Sequence, residues 1–112
     1  NAIETVKLLI NIKDIDLNKR GDSGKLAKHN FCCDITPFCF AVDCEEIEIV
    51  KLFENKCDRF NVNETYTDKI FFYYIFFNEI TCLHTAAKYD NIWLIRFLLN
   101  LPNINKNAFD KV

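Results

Sequence analysis

Apolar residues recur at helical spacing along most of this chain and crowd into one continuous run near its middle. Ile47, Ile49, Val50, Leu52 and Phe53 form a wide stripe that predicts a helix over Ile47–Asn55. Ile92–Asn100 repeats the pattern, with Pro102 placed to stop it. Ala2–Ile10 carries the same segment once more. Two shorter apolar helices are predicted ahead of the later pair, over Phe38–Val42 and Leu83–Lys88. Thr36 is a natural N-cap for the first, because its hydroxyl satisfies an orphan backbone donor, and Pro37 sits where a missing N–H does no harm. The connections differ in kind. Lys19–Cys33 is polar and basic with Gly21 and Gly24, which predicts a mobile loop. Asp68–Phe77 is nearly all aromatic and β-branched, which predicts a strand.

These elements repeat at a fixed interval. Thr36-Pro37-Phe38-Cys39-Phe40-Ala41 is echoed 45 residues later by Thr81-Cys82-Leu83-His84-Thr85-Ala86. Ile47–Phe53 matches Ile92–Leu98, and the copies close on Leu17-Asn18, Phe60-Asn61 and Ile104-Asn105. Two short antiparallel helices cannot bury their apolar faces alone, so such units must stack on their neighbours. The expected fold is an all-α repeat solenoid, a single array over 1–112. Residues 1–18 hold a partial repeat, 19–33 the basic loop, 34–63 a repeat, 64–79 the aromatic insert, 80–107 a repeat and 108–112 the start of a further connection.

Composition narrows the function classes. Half of the 112 residues are hydrophobic, enough for one core, and the net charge of −2 gives no general reason to expect nucleic acid. The charge is uneven. Residues 34–68 hold nine acidic and three basic side chains, a local −6, which suits either a solvated helix face or steering of a basic partner. Six cysteines without a C-x-x-C pair or a signal peptide read as free thiols in a reducing, intracellular and cytoplasmic setting. Asn63-Glu64-Thr65 fits a glycosylation sequon, which matters only in the secretory pathway. The longest apolar run, Ile70–Phe77, is 8 residues against the ~20 of a spanning helix, so no membrane insertion is expected.

No chemistry-bearing pattern in the chain has the spacing that its chemistry needs. His84 and Cys82 stand two apart on a helix and do not face each other. His29, Cys32, Cys33 and Cys39 match no zinc spacing. Gly21-Asp22-Ser23-Gly24-Lys25 lacks the spacing of a phosphate loop. Glu45, Glu46 and Glu48 mark a helix start, where carboxylates complement the dipole. No cofactor, metal or catalytic role is expected.

The Thr36-Pro37 opening, Ala41, the Ile47–Phe53 helix and Asn61 resemble the ankyrin repeat without a gap, and 81–105 resembles it with one residue missing before Asn105. Residues 2–18 resemble the second helix and exit turn of a preceding repeat. The departures are specific. Cys39 stands where the family has His, and Cys82 where it has Pro. Glu45 and Asp90 replace the glycines between the helices, and Cys57 the one after the second helix, which predicts strained turns. The period is 45 rather than about 33, so Asn18–Thr36 and Asn61–Thr81 each carry roughly ten extra residues at the family's projecting finger positions. His84 is implied to be structural, bonded to Thr81 and nearby backbone.

The resemblance implies a protein–protein interaction scaffold contacted on its finger loops and on the concave face that they form with the first helices. Carried over by position, the contacts are Ile35, Phe40, Asp43 and Cys44 in one repeat and Ile80, Thr85, Lys88 and Tyr89 in the next. Phe40 and Tyr89 would be the anchors. Trp93 stands where the family keeps a charged, exposed residue; with Phe72 and Tyr74 of the finger it forms either a docked cover or a contact patch. The alternative is a self-associating structural protein. Neither end carries the polar outer face of a terminal repeat, which suggests a piece of a longer array whose open units stack head to tail.

Overall fold

The computed structural model describes residues 2–22, 31–69 and 77–107. Five helices and three short strands appear in order: α1 (Ala2–Ile10), β1 (Phe31–Cys33), α2 (Pro37–Asp43), α3 (Ile47–Leu52), β2 (Tyr66–Lys69), β3 (Phe77–Ile80), α4 (Cys82–Lys88) and α5 (Ile92–Leu99). The helices fall within a turn of their expected positions. The one expected over Ile47–Asn55 breaks at Phe53, and Glu54–Lys56 tightens into a 3₁₀ turn.

The first helices of the two complete units start by the same device, with one difference. Thr36 Oγ1 accepts the Cys39 N–H at 3.4 Å. Thr81 Oγ1 does the same for His84, and His84 Nδ1 accepts the Thr81 N–H at 3.0 Å, completing a reciprocal cap. That is the structural role expected of His84. Cys39, at the same place in the earlier unit, cannot return the bond.

The turns between helices do what glycine does elsewhere. Glu45 and Asp90 both take φ 55, and Glu46 N–H and Asn91 N–H reach back to Ala41 O and Ala86 O at 3.1 Å. A left-handed non-glycine residue costs on the order of 1–2 kcal/mol, less for Asp than for Glu. The third expected strained turn is absent. Cys57 has φ −65, ordinary right-handed backbone, because the 3₁₀ turn reshapes the exit. The left-handed residue after α5 is Asn103, φ 67.

Two parts of the connections are ordered into a sheet rather than a free loop and a lone strand. β1, β2 and β3 are antiparallel neighbours in that order, with Cys32 opposite Asp68 and Tyr66 opposite Ile80. The stretch read as a mobile loop therefore contributes β1, and a Gly21–Ile35 bridge continues the pairing. The run expected as a strand over 68–77 enters on β2 and leaves on β3; residues 70–76 lie outside the described residues.

Packing follows the repeat. Phe38, Phe53 and Phe60 meet with ring centroids 4.9–5.4 Å apart, and Val42, Val50, Leu83, Ala86, Leu94 and Leu98 are fully buried around them. Ties between units run along the backbone as well. Arg59 donates to the carbonyls of Ile10, Ile12, Lys13 and Ile15 at 2.9–3.4 Å, holding the end of α1.

Candidate interaction surface

The expected contact residues separate into two groups. Ile35, Asp43, Ile80 and Thr85 are buried, each 8% exposed or less. As arranged here they offer a partner no area and work inward instead: Ile35 and Ile80 belong to the core, and Tyr89 donates its hydroxyl to Asp43 Oδ1 at 3.1 Å. Thr85 hydrogen-bonds the Tyr66 hydroxyl. Burial pushes the Tyr66 phenol well above its ordinary range. Phe40, Cys44 and Tyr89 are half-buried and Lys88 is exposed. Phe72 and Tyr74 lie outside the described residues. Trp93, 37% exposed, stacks on Phe97 at 5.1 Å with Lys51 Nζ 5.4 Å from its ring.

The accessible residues do not form one patch. Phe40 and Cys44 line an apolar groove of about 350 Å³ with Val6, Leu9 and Ile10 of α1, Ile15 and Leu17 of the following turn, and Pro37, Ala41, Ile49 and Phe53. Asp16 and Glu46 are its charged lining residues among those described. Sequence reasoning missed the α1 wall, where Leu8, Leu9 and Ile12 stay 44–73% exposed.

Repeat symmetry explains the shape. Forty-five residues on, Phe40, Ala41 and Cys44 become Thr85, Ala86 and Tyr89. There the same face is closed: Thr85 and Ala86 are buried, Tyr89 reaches Asp43 of α2, and Asn91 donates to Glu45 Oε1 at 2.9 Å. The groove is the same helix seat, open.

Stacked helix pairs, capped by Thr, turning through left-handed residues and joined by a finger sheet, define a helical repeat array of the kind that mediates protein–protein interaction. A family model for ankyrin repeats, in three copies, matches residues 1–110, and the chain belongs to the ankyrin-repeat family. Comparison with curated proteins and with solved structures finds no match. No helix among the described residues is long and apolar enough to cross a membrane.

Proposed function

We infer that the chain is an interaction scaffold, and that its groove between α1, α2 and α3 is a seat for an amphipathic helix, whether of a preceding repeat or of another protein. The observation that carries this reading is the equivalence just drawn: the face closed by a helix in the later unit is open and apolar around Phe40 and Cys44. Asp16 and Glu46 on the rim, inside the acidic stretch 34–68, favour a helix with basic flanks. No catalysis is assigned to this segment. The thiols of Cys39, Cys57 and Cys82, none of them in a disulfide, support an intracellular, cytoplasmic setting. Leu8, Leu9 and Ile12 on α1 favour the second reading, in which a second copy covers the same end.

Two synthetic helices sharing one apolar stripe, one Lys-flanked and one Glu-flanked, test the assignment by NMR shift mapping. The Lys-flanked helix should perturb Val6, Leu9, Phe40 and Ile49, and Phe40→Lys should weaken it at least about tenfold, roughly 1.4 kcal/mol. Equal binding of both peptides, or perturbation centred on Trp93, defeats the reading. Mass that grows with concentration, with shifts in the groove from the chain alone, assigns the seat to a second copy.

A further inference from the structure

Cys39 and Cys82 come from different units, 43 residues apart, and their sulfurs lie 2.7 Å from each other in the interior. Both side chains are 0% exposed. Cys39 occupies the first turn of α2 and Cys82 the first position of α4, so the pair spans the contact between the first helices of consecutive units. The thiols are ordered head to tail: Cys82 donates to the Cys39 sulfur, and Cys39 donates to the Glu64 carbonyl at 3.9 Å. Cys44 and Cys57, the other cysteines whose side chains are described, are partly exposed.

We propose that Cys39 and Cys82 are a dithiol modification site, oxidised by hydroperoxides to an internal disulfide that fastens one repeat to the next. The sulfurs need approach by only roughly 0.7 Å to reach bonding distance. The Cys39 thiolate attacks the peroxide oxygen, giving a sulfenic acid and releasing an alcohol or water. Cys82 sulfur then displaces water from the sulfenic sulfur. Two thiols and one hydroperoxide become one disulfide, one alcohol and one water; the sulfurs lose two electrons and the peroxide bond gains them. In the closed array the Cys82 S–H aimed at Cys39 favours charge on Cys39, while burial pushes the Cys82 thiol well up. Neither sulfur meets solvent in the closed array, so oxidation proceeds from locally opened molecules and its rate follows opening.

The test uses the full chain with Cys32, Cys33, Cys44 and Cys57 changed to Ser, after circular dichroism shows that it folds. Hydrogen peroxide is added with and without mild urea, and the products are read by intact mass and by peptide mapping. The expected product is a monomer lighter by two hydrogens, with a Cys39–Cys82 cross-linked peptide, formed faster in urea and restored by dithiothreitol. Its melting temperature should rise above that of the dithiol, since the closed loop restricts the unfolded chain. In Cys82→Ala, Cys39 should stop at a dimedone-reactive sulfenic acid. Sulfinic or sulfonic acid at Cys39 without a cross-link overturns the proposal. So do an intermolecular dimer and a chain that stays unoxidised in urea.

Discussion

The carboxamide of Asn63 grips the backbone of Asn105, its oxygen accepting the Asn105 N–H at 2.7 Å. Its Nδ2 donates to Asn103 O at 2.7 Å. Asn18, 45 residues earlier, holds Asn61 N–H and Arg59 O in the same way at 3.1 and 3.2 Å. Each unit thus clamps the exit of the next through one side chain. Asn63→Ala should cost about 1–2 kcal/mol in urea denaturation, and Asn63→Asp, which keeps the acceptor alone, roughly half of that.

Arg59 pins the last residue of α1 and the turn after it, donating to the carbonyl of Ile10 and to those of Ile12, Lys13 and Ile15. Arg59→Met keeps the stem and removes the donors, at a cost on the order of 2 kcal/mol. Hydrogen exchange should locate the loss. Protection is expected to fall in α1 well before α4 or α5.

Asp90 and Glu45 share φ 55 but not surroundings. Asp90 is exposed. Asp90→Gly relieves the left-handed residue and should stabilise the chain by about 0.5–1 kcal/mol. Glu45→Gly relieves a larger strain but removes the acceptor of Asn91 Nδ2, so its gain should be no larger than that at Asp90. Melting temperatures of the two variants make the comparison. A gain at Glu45 clearly above that at Asp90 would mean that the Asn91 bond contributes nothing.

The buried phenol of Tyr66 gives the fold an alkaline limit. Its folded value lies well above the ordinary 10.0, raised first by burial. The unfolded chain therefore releases that proton first. The contribution of Tyr66 is complete below about pH 10 and is lost as pH climbs through the folded value. Cys82 acts in the same sense from its ordinary 9.0. Tyr66→Phe should flatten the fall in stability above about pH 10, at the expense of the Thr85 bond, roughly 1 kcal/mol. Denaturant titrations from pH 8 to 11 check the slope.

Much of this was legible in the chain, because the informative residues act locally. Thr36, Pro37 and Thr81 cap helices in their own sequence neighbourhood. The apolar stripes of 47–53 and 92–98 have only one face to bury. Glu45 and Asp90 betray the turn geometry by standing where glycine would be expected. Other features escaped for an equally physical reason. Cys57 was expected to strain its turn, but Glu54–Lys56 tightens and removes the demand. Residues 31–33 carry no strong strand pattern of their own and pair because β2 offers an edge.

The contact residues show the division most clearly. Position within the repeat predicted Ile35, Asp43, Ile80 and Thr85 as outward, yet the finger sheet and the adjoining unit cover them. The sequence alone determined the repeat, its helices, its caps and its family, since these depend on spacing and on neighbours a few residues away. Only the tertiary structure decided which faces are closed. It set Cys39 against Cys82 and Tyr89 against Asp43, and it left Phe40 and Cys44 lining an open groove. Those outcomes depend on how units 45 residues apart pack together, and no local pattern records that.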